Sequence, residues 1–220
     1  MTAPALDEFV KQAECWLAER YPKVADTAQR RFVWGEGDDE VRVFAEPDPE
    51  LQADALPAIR RWRQELWDHG YGWISGPAEL GGAGLPVAYA RAFERLTRKY
   101  RVPGDAALTV SLGMVAPTIL RHGRPEQKEY WLPRLYSGQQ IACQLFSEPD
   151  AGSDLAAVRT RAVRDGDCWR ISGQKVWTSG AHLADIGEII CRTADGPRHR
   201  SATRWATPRS AGQGSCRRSG

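Results

Sequence analysis

No part of this chain is apolar for more than a few residues in a row, so nothing in it reads as a membrane span. The N-terminus, Met1-Thr2-Ala3-Pro4-Ala5-Leu6-Asp7-Glu8, has no basic region, no apolar stretch and no Arg-rich amphipathic pattern, so no targeting peptide is expected. Cysteine is sparse: Cys15, Cys143, Cys168, Cys191 and Cys216 lie far apart, and no pair has CxxC or metal-ligand spacing. Their odd number argues against a disulfide framework and points to a reducing, cytoplasmic compartment. The four histidines, His69, His122, His182 and His199, share no spacing with one another or with acids, so each reads as a surface or helix-end residue. A strong excess of one charge is lacking too. Of 30 basic side chains, Arg204, Arg209, Arg217 and Arg218 sit in the last 20 residues, leaving 26 against 28 acids in the rest of the chain. A mildly acidic body gives no electrostatic case for nucleic acid.

What is present is the balance of a globular chain of one or two domains, 220 residues long with 42% hydrophobic and 26% charged side chains. Its first two-thirds has helical periodicity. Leu6, Phe9, Ala13, Trp16 and Leu17 share one face. Residues 35–50 form an acidic connection punctuated by Gly and Pro. A second helix is expected after Pro57, with Ile59, Trp62 and Leu66 on its apolar face and Gly70 closing it. The run Gly81-Gly82-Ala83-Gly84 reads either as a phosphate cradle or as a tight loop between helices. Without a GxxxxGK[ST] or strand–GxGxxG–helix context the loop is favoured. A third helix over 86–100 carries Tyr89, Phe93, Leu96 and Tyr100. A buried helix over 105–122 should bend near Pro117, and another spans 125–136.

At Ile141 the period changes to that of a strand, with Ile141, Cys143 and Leu145 alternating with Ala142, Gln144 and Phe146. Residues 158–163 and 169–172 flank Arg164-Asp165-Gly166-Asp167, a hairpin signal, and 175–178 and 188–192 look like further strands. The fold class is therefore α+β: an all-α domain over 1–138, then an antiparallel β domain over 139–193. That β domain looks incomplete. After Arg192 the strand signals stop, and 17 of residues 201–220 are Ser, Ala, Thr, Arg, Pro or Gly, with no Ile, Leu, Val or Phe. Such a tail, 194–220, cannot offset its ordering entropy by burial. It is expected to be disordered, and its composition is that of an out-of-frame reading of a GC-rich gene.

Two segments carry candidate chemistry. In Ala142–Asp154 a strand runs into a turn with Pro149 and Gly152, bracketed by Glu148, Asp154, Ser147 and Ser153. Small residues there let a flat ligand approach the backbone, although a polar β–β connection has the same composition. In Gly173–Gly180, Trp177 stands beside Thr178 and Ser179. An indole can pack on a conjugated ring while hydroxyls reach its edge, and a buried strand Trp before a turn would look alike.

The pair of patterns, C-x-L-F-S-E-P-x-A-G-S-D at 143–154 and I-x-G-x-K-x-W-T-S at 171–179, resembles the acyl-CoA dehydrogenase family. So do the Gly70–Pro86 loop and the Gly123–Gly138 segment with its Gln127-Lys128, Trp131-Leu132-Pro133 and Ser137-Gly138. The resemblance covers about residues 6–193. It implies a helical N-terminal domain, a middle β barrel and a C-terminal four-helix domain. FAD would lie between the last two as hydride acceptor in the α,β-desaturation of an acyl-CoA thioester. It also implies an electron-transfer flavoprotein or similar acceptor, and a homo- or hetero-oligomer. Residue by residue, it places Gln144, Phe146 and Ser147 along the isoalloxazine, and Gly152 and Ser153 in the turn by the flavin, with Ser153 also near the substrate thioester. Trp177, Thr178 and Ser179 would pack on the ring and reach N5. Glu148 and Asp154 match motif positions but are expected to fix the turn. Gly76 and Phe146 depart from the common Trp and Val. The catalytic base belongs to the family's C-terminal domain, so no residue here is assigned that role and the chain is expected to be inactive alone. A non-catalytic binding or assembly subunit of the same fold, and a flavin oxidase or monooxygenase of the superfamily, are the alternatives.

Overall fold

The computed structural model describes residues 3–24, 49–104, 106–166, 168–193 and 201–206. The acidic connection over 35–48 and most of the tail, including His199 and Cys216, lie outside them. The chain divides into two compact units, Met1–Asp105 and Ala106–Gly220.

The first unit is helical. Helix α1 (Leu6–Arg20) opens with Asp7 and Glu8 and ends on Arg20, charges that suit the helix dipole at each end. Its predicted face is buried: Phe9, Ala13, Trp16 and Leu17 pack with Trp62 and Leu66 of α2 (Pro49–Asp68) and Phe93 and Leu96 of α3 (Val87–Thr97). Helix α2 begins eight residues before Pro57, so the expected start there is corrected. Pro57 lies inside the helix on an exposed position, where a carbonyl left without its partner can turn to water. The glycine-rich loop is a packing device. A Cβ on Gly82 would stand 2.3 Å from the carbonyl of Gly76, and Gly81 takes φ 87° against the ring of Trp67. Any side chain at either position would displace the loop from its close packing.

In the second unit, the helix expected over 105–122 runs on from 109 to 122 but is not uniform. A 3-10 turn (Ala106–Leu108) and a π-helical turn (Ser111–Val115) precede α4 (Ala116–His122). Pro117 has no N–H to continue a regular ladder, and the widened turn absorbs that loss. Helix α5 (Pro125–Tyr136) has the expected bounds. Five strands follow: β1 (Ala142–Leu145), β2 (Arg161–Asp165), β3 (Cys168–Ser172), β4 (Ile186–Arg192) and β5 (Ser201–Ala206). They make an open sheet of order β1-β4-β2-β3, with β5 also on β4.

The sheet is mixed. Strands β2 and β3 form the expected antiparallel hairpin, with Gly166 at φ 60° in its turn, and β4–β5 is antiparallel. Strand β1 pairs parallel with β4, from Ala142↔Ile186 to Leu145↔Ile189, and β2 meets β4 parallel at Arg161↔Arg192. The forty residues separating β1 from β4 supply the long crossover a parallel pair needs. Strand β5 falls in the segment where the apolar pattern had shown no strand, because its alternation of small residues carries no hydrophobic signal. The strand expected over 175–178 is absent. Cys15 and Cys143 are free thiols. Among the described residues no helix is long and apolar enough to cross a membrane, and no cluster of side chains could hold a metal ion.

Candidate functional site

The start of β1 is set from both sides. Ser111 Oγ, in the π-helical turn, donates to Ala142 O at 3.0 Å and accepts from Ala142 N at 2.7 Å. Asp185 Oδ2 accepts from Ile141 N at 2.9 Å. These bonds occupy backbone groups that the strand's short ladder leaves over.

At the other end of β1, the chain turns through Glu148–Ala151, closed by Glu148 N to Ala151 O at 2.7 Å and Ala151 N to Glu148 O at 3.1 Å. The buried Glu148 carboxylate accepts from Arg159 N at 2.7 Å, Thr160 N at 2.9 Å and Lys175 Nζ at 2.9 Å. Burial alone would raise this carboxyl. The hydrogen bonds from Lys175 and from the backbone N–H groups of Arg159 and Thr160 outweigh it and hold the group down at about 2. Asp154 likewise serves the backbone, accepting from Ala156 N at 3.1 Å. Asp154 thus caps the 3-10 turn that follows it, whereas the Glu148 carboxylate, expected to fix its own turn, ties that turn to segments 11 to 27 residues away.

Lys175 joins the two motifs. Its ammonium also donates to Phe146 O at 2.9 Å, and the next residue's Val176 N donates to Ser147 O at 3.0 Å. These ties explain why 175–178 is not a strand: its polar groups are drawn to the end of β1 one at a time, not into a ladder. They also carry Trp177 out of extended geometry to φ 57°, the one described non-glycine residue at positive φ. A bulky side chain in that conformation is a genuine outlier. The indole is 90% exposed.

A cleft of about 240 Å³ opens here, lined by Val110, Gln144, Phe146, Ser147, Val176, Trp177 and Ser179. Five of the eight candidates, Gln144, Phe146, Ser147, Trp177 and Ser179, therefore meet in one place. Thr178 is next to them in the chain but not in the lining. Gly152 and Ser153 are not in the lining either; they are exposed in the turn beyond Glu148. Val110 and Val176 were missed, since an apolar residue beside a helix break carries no signal of its own. Lys175 could have been found from its place in the motif. The wall suits a flat conjugated ligand such as a flavin: an uncovered indole, an apolar floor, and the amide of Gln144 with the hydroxyls of Ser147 and Ser179 for ring-edge heteroatoms. No carboxylate lines it. The nearby Cys143 is buried, which pushes its thiol up and leaves it inert.

The family model for the acyl-CoA dehydrogenase N-terminal domain matches residues 36–139, and that for the middle domain matches residues 143–219. The chain is 35% identical over 191 residues to acyl-CoA dehydrogenase IpdE1 of Mycobacterium tuberculosis, covering 87% of this chain and 46% of that protein. Among solved structures it is similar to the Tcur3481-Tcur3483 steroid ACAD, at TM-score 0.62 and 27% identity over 94% of this chain and 48% of that one. It is also similar to the ChsE4-ChsE5 complex from Mycobacterium tuberculosis, at TM-score 0.64 and 26% identity over the same shares. The chain thus spans about half the length of the relatives it matches.

Proposed function

Because the chain belongs to the acyl-CoA dehydrogenase family, an FAD-dependent group of oxidoreductases, we propose that its β unit supplies one wall of a flavin site for the α,β-desaturation of an acyl-CoA thioester. The observation that carries this reading is Trp177. Its backbone sits at positive φ, and its ring is almost wholly exposed at the rim of the cleft. An aromatic held in a costly conformation and left uncovered is what a stacking platform requires. FAD, when bound, supplies a ring that accepts a hydride from the acyl β-carbon.

The chain's own residues bind and orient. Trp177 covers a ring face. Gln144, Ser147 and Ser179 offer donors and acceptors at its edge, and Phe146 and Val176 exclude water. Thr178 continues the same segment. Gly152 and Ser153 are exposed in the neighbouring turn, and the family resemblance assigns Ser153 to the thioester end of the substrate. With no carboxylate in the lining, removal of the α-proton falls to a base outside the described residues. Residues 1–220 alone therefore hold FAD weakly and do not turn over. Two solved relatives, the Tcur3481-Tcur3483 steroid ACAD and the ChsE4-ChsE5 complex, are named for two components, and this supports a second chain as the source of the remaining wall in this protein.

Titration of FAD into purified residues 1–220, followed by flavin fluorescence, tests the wall. Saturable quenching is expected, with quenching lost in Trp177→Ala. Indistinguishable curves for the two proteins would remove Trp177 from the site.

A further inference from the structure

One buried hydroxyl joins two elements that line the cleft. Val110, at the start of the π-helical turn, and Gln144, in β1, both contribute to the lining. Ser111 follows Val110 directly, and Ala142 lies two residues before Gln144, on the same side of β1. The bonded pair Ser111–Ala142 therefore stands next to a lining residue on each element. Ser111 is 0% exposed and Ala142 3%.

A hydroxyl has one proton and two lone pairs. Here the proton goes to Ala142 O at 3.0 Å, and a lone pair takes the Ala142 N–H at 2.7 Å. Strand β1 ends the order β1-β4-β2-β3, so its far side is an open edge. One oxygen thereby does there what a residue of a further strand would do: it meets both backbone groups of a single residue. Ser111 is itself held from the helix side, because Ala116 N donates to Ser111 O across the π-helical turn.

Apolar packing would not give the same result. It is non-directional, so a turn held on a strand by apolar side chains alone can slide along it. Two hydrogen bonds on one oxygen fix the separation of turn and strand, and also which residue of the strand is met. For a cleft that takes a flat ring, that separation matters. A gap of about 0.5–1 Å already forfeits a quarter to a half of the dispersion contact.

We propose that Ser111 is a positioning residue: its hydroxyl, bonded both ways to Ala142, sets the spacing of Val110 and Gln144 and so the fit of the ligand in the cleft. The ligand class rests on the flavin reading given above; the joint between turn and strand does not.

The test uses residues 1–220 labelled with 13C-methyl valine, the Val110 resonances being assigned by their loss in Val110→Ile. Ser111→Ala removes the hydroxyl. Ser111→Cys keeps nearly its volume but offers only a weak donor and acceptor. Ile119→Val, a buried change in α4 outside the lining, is the control for lost stability alone. The Val110 methyl signals should be sharp in the wild type, broadened or shifted in both Ser111 variants, and unaltered in Ile119→Val. FAD is then titrated, with flavin fluorescence as the readout, where all four proteins are fully folded by circular dichroism. Kd should rise about tenfold in both Ser111 variants, the order of one lost hydrogen bond, and stay unchanged in Ile119→Val. Wild-type Val110 signals and Kd in Ser111→Cys would overturn the proposal, since filling the volume would then suffice. A Kd raised as much in Ile119→Val would overturn it too, since affinity would then follow stability. Absence of any FAD binding to the wild type sinks the flavin reading instead, and the Val110 signals of the Ser111 variants then decide the positioning role by themselves.

Discussion

At Glu148 the sequence shows an acid beside a proline, and the structure shows what it does. Three donors on its carboxylate bring together the ends of segments that are 11 to 27 residues apart in the chain. The group's ordinary value near 4.5 is lowered to about 2. A depressed carboxyl contributes stability in full above its unfolded value, and that contribution is lost as pH falls from about 4.5 through about 2. The shift is worth on the order of 3 kcal/mol. Denaturant melts of the wild type at a series of pH values should show stability falling across this window. Glu148→Gln should be less stable near neutrality and flatter in the window. An equal slope in both proteins would assign the acid sensitivity elsewhere. The sequence marked Glu148-Pro149 as a turn; the donors to the carboxylate, contributed by the loops before β2 and after β3, were not legible there.

Lys175 belongs to the scale of elements, because it fastens one motif to the other. Its ammonium and the Glu148 carboxylate are both buried, and the pair sits under the segment that carries Trp177. Removing one member of such a pair leaves the other buried and uncompensated, at a cost of roughly 3–5 kcal/mol. Lys175→Met should therefore destabilise the second unit by that order and weaken FAD binding with it. The double variant Glu148→Gln/Lys175→Met should lose less than the sum of the single losses, since neither charge is then stranded. Additive losses in a double-mutant cycle of denaturant melts would show that the two side chains act separately. The helices were legible because a period of 3.6 repeats over several turns, and the β2–β3 hairpin because Asp165-Gly166 marks its turn. The segment over 175–178 alternates like a strand, yet it bonds to the end of β1 residue by residue, and no local pattern distinguishes the two outcomes.

For the whole molecule, the chemistry turns on a group that the described residues do not contribute to the cleft. The expected outcome can be read without any electron acceptor. Residues 1–220 loaded with FAD and an acyl-CoA in D2O should leave the α-hydrogens unexchanged over a period in which a full-length family member exchanges them. The loss of general-base catalysis is worth about 10²–10⁴-fold. Mass spectrometry of the recovered acyl-CoA measures it. Exchange at the family's rate would mean that a base stands within these residues.

The sequence by itself determined the family, the succession of helices and then strands, and five of the residues that meet at the cleft. Periodicity and motif spacing are local properties, and a folded chain keeps them. Tertiary structure alone decided the parallel pairing of β1 with β4, which places Glu188 behind Gln144 although 44 residues separate them. It also decided the anchoring of β1 by Ser111, the left-handed turn at Trp177, and the exclusion of Ser153 from the cleft lining. The reason is common to all four. Each depends on which buried donor meets which acceptor across the sheet, and that choice is made only when the strands have come together and water has left.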